Sequence, residues 1–176
     1  MGSLAVRVGL DANVLIAGIR LPRWPHEVLR AALTWHSGTA FGLVLPEQVI
    51  TEARRHLPHP AQQRALDYFL KEASAEVAPF PAADMVFRNL DLVRSRKDVP
   101  IATVLLMNGV DIFVTSDRDF TEDGATSERL RGRVRIMLPA VFLRDALGWE
   151  SSQLEAIRSR TWQDVEATRW RPDVAP

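Results

Sequence analysis

Cysteine is absent from the 176 residues, which excludes disulfides, thiolate nucleophiles and thiolate-ligated zinc together and fits a reducing compartment. Whatever chemistry the chain performs must use oxygen and nitrogen. Net charge is missing too: 22 Lys plus Arg balance 22 Asp plus Glu. No global field therefore draws the protein toward nucleic acid or a membrane surface, and any polyanion contact needs a local patch or a bound cation. Lysine is confined to Lys71 and Lys97; the arginine excess reads as a coding bias, although arginine also suits bidentate phosphate contacts. No uninterrupted apolar run reaches about 18 residues, so no membrane span is expected. Arg7 and Asp11 interrupt the first apolar stretch and no small-residue cleavage site follows it, which argues against a signal peptide. A cytoplasmic location is the expectation. Repeats, low-complexity tracts and linker-like stretches are also lacking, and a chain of this length suits one domain that buries roughly 70% of its unfolded surface.

What is present is an alternation of short apolar runs with helical spacings. Strands are expected at 5–9, 38–45, 76–78, 111–115 and 134–138. The main runs lack polar alternation, as strands covered on both faces do. An apolar stretch at 14–19 follows the turn at Asp11. Helices are expected at 26–35, from Pro46 with Val49, Ile50 and Ala53 facing inward until Pro58 and Pro60 stop it, then at 61–73, 82–93 and 139–147. A further helix begins at Asp98, tolerates Pro100 in its first turn and ends at Gly109. Residues 121–131 read as a polar loop. This order implies right-handed crossovers and an α/β, three-layer α/β/α fold with a mostly parallel central sheet. Residues 1–148 would form that unit. Residues 149–176 would form a partly helical extension, with Leu154, Ile157, Trp162, Val165 and Trp170 at amphipathic spacing and 172–176 frayed.

Acidic residues stand at the edges of these apolar segments. Asp11 ends the first strand, Glu52 lies beside the inward face of a helix, Asp98 starts a helix, and Asp117 and Asp119 follow a strand. Singly, each has an ordinary explanation. Asp11, Asp117 and Asp119 can shape turns, Glu52 can pair with Arg55 or His56, and Asp98 can cap its helix for about 1 kcal/mol. Together they are harder to explain. The carboxyl ends of parallel strands carry the ligand site in open α/β sheets, and several like charges on one edge raise one another's pKa values and oppose folding. A hard divalent cation removes that conflict and would support phosphodiester hydrolysis.

Four segments, Leu10-Asp11-Ala12-Asn13-Val14-Leu15-Ile16, Val49-Ile50-Thr51-Glu52, Lys97-Asp98-Val99-Pro100-Ile101 and Val114-Thr115-Ser116-Asp117-Arg118-Asp119-Phe120, resemble in order and spacing the four acidic motifs of PIN-domain ribonucleases. The resemblance covers about 5–147 and is nearest the VapC-like toxins of toxin-antitoxin pairs. It implies a metal-dependent endoribonuclease acting on single-stranded RNA with Mg²⁺ or Mn²⁺. Asp11, Glu52, Asp98 and Asp117 would be the catalytic, metal-binding quartet, with Asp119 as an auxiliary ligand. Asn13, Thr115 and Ser116 would orient them from behind. A homodimer and a small antitoxin protein are the implied partners. The extension after Trp149 departs from the minimal domain of that family.

Arg20, Arg23, Arg54 and Arg55, with His56, are candidates for RNA phosphate contacts, although a solvated charged face explains them as well. Trp24 could stack on a base or simply pack in its loop. His56 and His59 have no further histidine near them in sequence, which disfavours zinc. Two rival functions remain. An inactive PIN-like module would bind RNA or protein without cutting, but the four acids are retained. A haloacid-dehalogenase-like phosphatase would need an acid where Asn13 stands.

Overall fold

A computed structural model of the chain describes residues 6–33 and 41–165. The expected strand start at 5, the helix end at 34–35, the strand start at 38–40, Trp170 and the frayed 172–176 lie outside the described residues. The sheet is built from β1 (Val6–Leu10), β2 (Phe41–Pro46), β3 (Glu76–Ala78), β4 (Ile112–Val114) and β5 (Arg135–Met137). Its order is β3-β2-β1-β4-β5 and every pairing is parallel. Helices flank it in a three-layer α/β/α arrangement. The reason is visible in β1 and β4. Val8, Leu10, Ile112, Phe113 and Val114 are all buried, and strands without a polar face must be covered on both sides.

Ten α-helices are described: α1 (Ala12–Arg20), α2 (Trp24–Leu33), α3 (Glu47–His56), α4 (Pro60–Glu72), α5 (Ala83–Arg88), α6 (Val99–Met107), α7 (Arg118–Thr121), α8 (Glu128–Arg131), α9 (Pro139–Asp145) and α10 (Ser151–Ala156). The apolar 14–19 stretch is therefore the body of α1. In α6 every residue from Val99 to Leu105 is buried, as a helix apolar on all sides requires. It approaches β1 so closely that a Cβ on Gly9 would lie 2.9 Å from Leu105 Cδ2. At Gly18 a Cβ would lie 2.6 Å from Leu29 Cδ1, so the α1–α2 corner also depends on a missing side chain.

Two expectations need correction. The helix expected over 82–93 stops at Arg88. Asn89 caps it by donating Nδ2–H to the Met85 carbonyl at 2.9 Å, and the chain then runs through turns to Val93, which bridges antiparallel to Thr126. The segment read as a polar loop supplies that bridge and carries α8, whose amino end is capped by Ser127. The extension is partly helical over its described residues, 149–165. It forms α10, whose Leu154 carbonyl accepts from Trp24 Nε1–H of α2 at 2.8 Å, and a 3₁₀ turn at Trp162–Asp164; between them, Arg160 Nε–H donates to the Pro22 carbonyl at 2.5 Å.

Candidate functional site

The strand order reverses at β1, whose neighbours are β2 on one side and β4 on the other. Such a switch point leaves a crevice at the carboxyl ends of the strands, and here it is lined by Asp11, Glu52, Asp98 and Asp117, in a cavity of about 300 Å³. Each acid comes from a different part of the chain. Asp11 caps α1 directly after β1, Glu52 projects from α3 after β2, Asp98 precedes α6, and Asp117 caps α7 after β4.

The β1 and β4 ends are tied by one hydrogen-bond network. The Thr115 hydroxyl, buried, donates to Asp11 Oδ2 at 2.6 Å and accepts from the Asp117 N–H at 2.9 Å. Asn13 Nδ2–H donates to the same Asp11 oxygen at 2.8 Å, and Asn13 Oδ1 accepts from the Ser116 N–H at 3.2 Å. Asp11 Oδ1 accepts from the Ala12 N–H at 2.8 Å. Asn13 and Thr115 thus bond Asp11 directly, whereas Ser116 joins the network only through its backbone N–H to Asn13. Asp117 Oδ1 accepts from the Asp119 N–H at 2.9 Å, which starts α7 and leaves its second oxygen for the cavity.

Asp98 departs from the expected cap. It stands at the N-cap of α6 with a helical backbone and makes no side-chain cap bond, because the 3₁₀ turn at Arg96–Asp98 runs directly into the helix. Its Oδ2 is shielded from solvent without a hydrogen-bond donor, and so is Oε1 of Gln48 on the same cavity wall. Buried acceptors without donors are rare and call for a water or a cation.

Oxygens of Asp98, Asp117 and Asp119 lie within 4.8 Å of one another, a group able to hold a metal ion. All donors are carboxylate oxygens, the set preferred by Mg²⁺ and Mn²⁺ over softer metals. Among the described residues this group contains three of the five expected ligands, Asp98, Asp117 and Asp119, while Asp11 and Glu52 line the same cavity outside it. Asp119 also meets Arg94 at 3.8 Å and Lys97 at 3.7 Å. These partners are half or more exposed, so the pairs are weak.

Burial dominates the electrostatics of the acids, and their mutual charge adds to it. Burial, opposed by the hydrogen bonds from Thr115 and Ala12 and reinforced by the Asp117 and Glu52 charges, pushes the Asp11 carboxyl up to about 6. Burial raises Asp98 as well, with Asp117 and Asp119 adding to the effect against Ser95 and Lys97. Lys97, beside Asp98 and facing the other acids, is raised in turn. For Asp11 the folded state holds its proton more tightly than the unfolded chain. The stability this confers is fully present below the unfolded value of 3.8 and is lost as pH rises through about 6. Its size is on the order of 3 kcal/mol at 1.36 kcal/mol per unit. Urea unfolding in EDTA from pH 4 to pH 8 is expected to show the wild type losing stability relative to Asp11→Asn as pH rises. Parallel curves for the two proteins would contradict the buried-carboxyl account.

Of the four arginines expected to meet RNA, Arg20 alone lines the cavity. Arg54 is committed to α4 through Asp67 at 2.6 Å, Arg23 lies against the Arg160 carbonyl at 3.5 Å, and Arg55 is exposed elsewhere. Trp24 is occupied by its bond to Leu154. Ile16, Gln48, His56 and Lys97 complete the wall. Gln48 carried no sequence signal beyond standing one turn before Glu52; it donates to the Lys97 carbonyl at 3.2 Å and so braces the Asp98 turn. A larger cavity, about 780 Å³, opens at the opposite edge, where Val6, Phe41, Ile112 and Arg135 begin their strands. Its acids Glu27 and Asp145 are paired with arginines, and the carboxylate cluster is absent from it, so size does not decide the site.

No family model matches the chain, and no curated protein does. Among solved structures, the chain is similar to the crystal structure of PAE2754 from Pyrobaculum aerophilum, with a TM-score of 0.50 and 20% identity over 82% of this chain and 99% of that one. At that identity the likeness is one of fold.

Proposed function

We propose that the chain is a metal-dependent endoribonuclease of the PIN type that hydrolyses single-stranded RNA in the cytoplasm, as the toxin of a toxin-antitoxin pair. The observation that carries this reading is the convergence of four carboxylates from four chain segments on one cavity, with a buried Asp98 oxygen lacking a donor. Asp98, Asp117 and Asp119 would hold Mg²⁺ or Mn²⁺, with Asp11 and Glu52 lining the same cavity. When bound, the ion supplies an acidified water and offsets negative charge on a phosphate. Asn13, Thr115 and Ser116 keep the carboxylates aligned, and Arg20 offers a cation to the approaching backbone. Single-stranded RNA fits because its exposed backbone can reach a small cavity that a duplex cannot enter.

Water as the nucleophile leaves a 5′-phosphate and a 3′-hydroxyl. End analysis of RNA incubated with Mn²⁺ is expected to give those ends and no cleavage in EDTA. Cyclic 2′,3′-phosphate ends would instead point to the 2′-hydroxyl with His56, the one histidine on the cavity wall, as its base. The resemblance also implies a homodimer and a small antitoxin protein, encoded by an adjacent reading frame, that blocks cleavage. Val77, Phe80 and Phe87 are exposed and offer apolar surface for association. Sedimentation velocity is expected to show dimers, and a monomer at every concentration would count against self-association.

A further inference from the structure

The cavity has two side chains able to meet an anion on the wall formed by helix ends: Arg20 at the end of α1 and His56 at the end of α3. The Arg20 guanidinium donates to the His56 carbonyl, joining the two ends. The chain beyond α10 returns to this corner. Trp162 Nε1–H donates to the carbonyl of Arg20 itself at 2.8 Å, while its ring stands edge-on to His26 with centroids 5.1 Å apart. Arg160 Nε–H donates to the Pro22 carbonyl at 2.5 Å, and its guanidinium pairs with Glu27, whose side chain is only 7% exposed. The last carbonyls of a helix have no partners within it. Trp162 therefore completes the end of α1 from 142 residues away.

We infer that Arg160 and Trp162 are positioning residues for the substrate, fixing the end of α1 so that Arg20 stays on the cavity wall. The inference rests on the nuclease reading for its ligand. A chain without net charge attracts RNA only through local cations, and the cavity is crowded with carboxylates. A fixed guanidinium beside them lets a phosphate approach, and fixing it beforehand removes an ordering penalty from binding.

Trp162→Phe keeps the ring against His26 and deletes the N–H. It is compared with Arg20→Ala and the double variant, all as full-length chains. Amide hydrogen exchange at 17–23 is expected to quicken in Trp162→Phe. KM for a single-stranded RNA oligonucleotide should rise by about threefold to tenfold, within the range for one lost hydrogen bond. kcat and the Mn²⁺ midpoint of thermal stabilisation should stay within about twofold. Because Trp162 acts through Arg20, the double variant should be no worse than Arg20→Ala. Unchanged exchange in Trp162→Phe overturns the inference, as does a KM effect that adds to that of Arg20→Ala. Wild-type chain that cleaves no RNA would remove the nuclease reading, and the exchange measurement would still decide whether Trp162 fixes the end of α1.

Discussion

Replacing Asp117 by asparagine is expected to lower RNA cleavage on the order of 100-fold or more. Losing a group that merely orients a metal ligand lowers affinity or activity about 10- to 100-fold, and Asp117 belongs both to the cavity wall and to the three-carboxylate group. The amide retains an oxygen to accept from the Asp119 N–H, so the start of α7 survives while the negative charge is lost. Thr115→Val is the graded comparison. It deletes the donor to Asp11 and the acceptor for the Asp117 N–H at nearly constant volume, and its loss should stay within about 10- to 100-fold. Single-turnover cleavage of a labelled oligonucleotide with Mn²⁺ measures both. Undiminished cleavage by Asp117→Asn would separate the carboxylates from the chemistry.

Mn²⁺ is expected to raise the melting temperature. A ligand that binds only the folded state at 100 times its Kd adds about 2.7 kcal/mol, which for a chain of this size corresponds to roughly 5–10 °C. The effect has a specific origin: bringing Asp98, Asp117 and Asp119 together is opposed by their mutual repulsion, and a divalent cation reverses the sign of that contribution. Asp98→Asn should therefore melt in EDTA no lower than the wild type and respond far less to Mn²⁺. A melting curve indifferent to millimolar Mn²⁺ would argue against any metal at this edge. Mg²⁺ in place of Mn²⁺ tests whether the oxygen set accepts both ions, as its chemistry implies.

The parallel sheet was readable because the apolar runs of β1, β2 and β4 are short and are separated by helical spacings; an apolar run alone fits a buried helix equally, as α6 shows. The site was readable in part for the same reason: strand ends are easy to find, and Asp11 and Asp117 sit on them. Asp98 was harder. Its local signature, an acid ahead of Val99-Pro100, is that of a helix cap, and nothing in the sequence marks the 3₁₀ turn at Arg96–Asp98 that runs into α6 and leaves the side chain without a cap bond. Arg54 misled because adjacency to Glu52 in sequence says little about direction on a helix; its neighbour in space is Asp67 on α4. The path of the tail carried no readable signal. Hydrogen bonds from Trp24, Arg160 and Trp162 to carbonyls across the fold depend on the docked geometry and leave no periodicity behind.

The bond between Thr115 and Asp11 spans 104 residues, and that separation sets a schedule for the nascent chain. Contacts so distant in sequence close late in folding. At about 5–20 residues per second, translation delivers Thr115 roughly 5–20 s after Asp11. During that interval β1 can pair with β2, yet its other edge has no β4 to receive and Asp11 has no hydroxyl donor. A growing polypeptide therefore carries no assembled acidic cavity beside the messenger being read, and the cavity first becomes possible when the last two strands are leaving the ribosome.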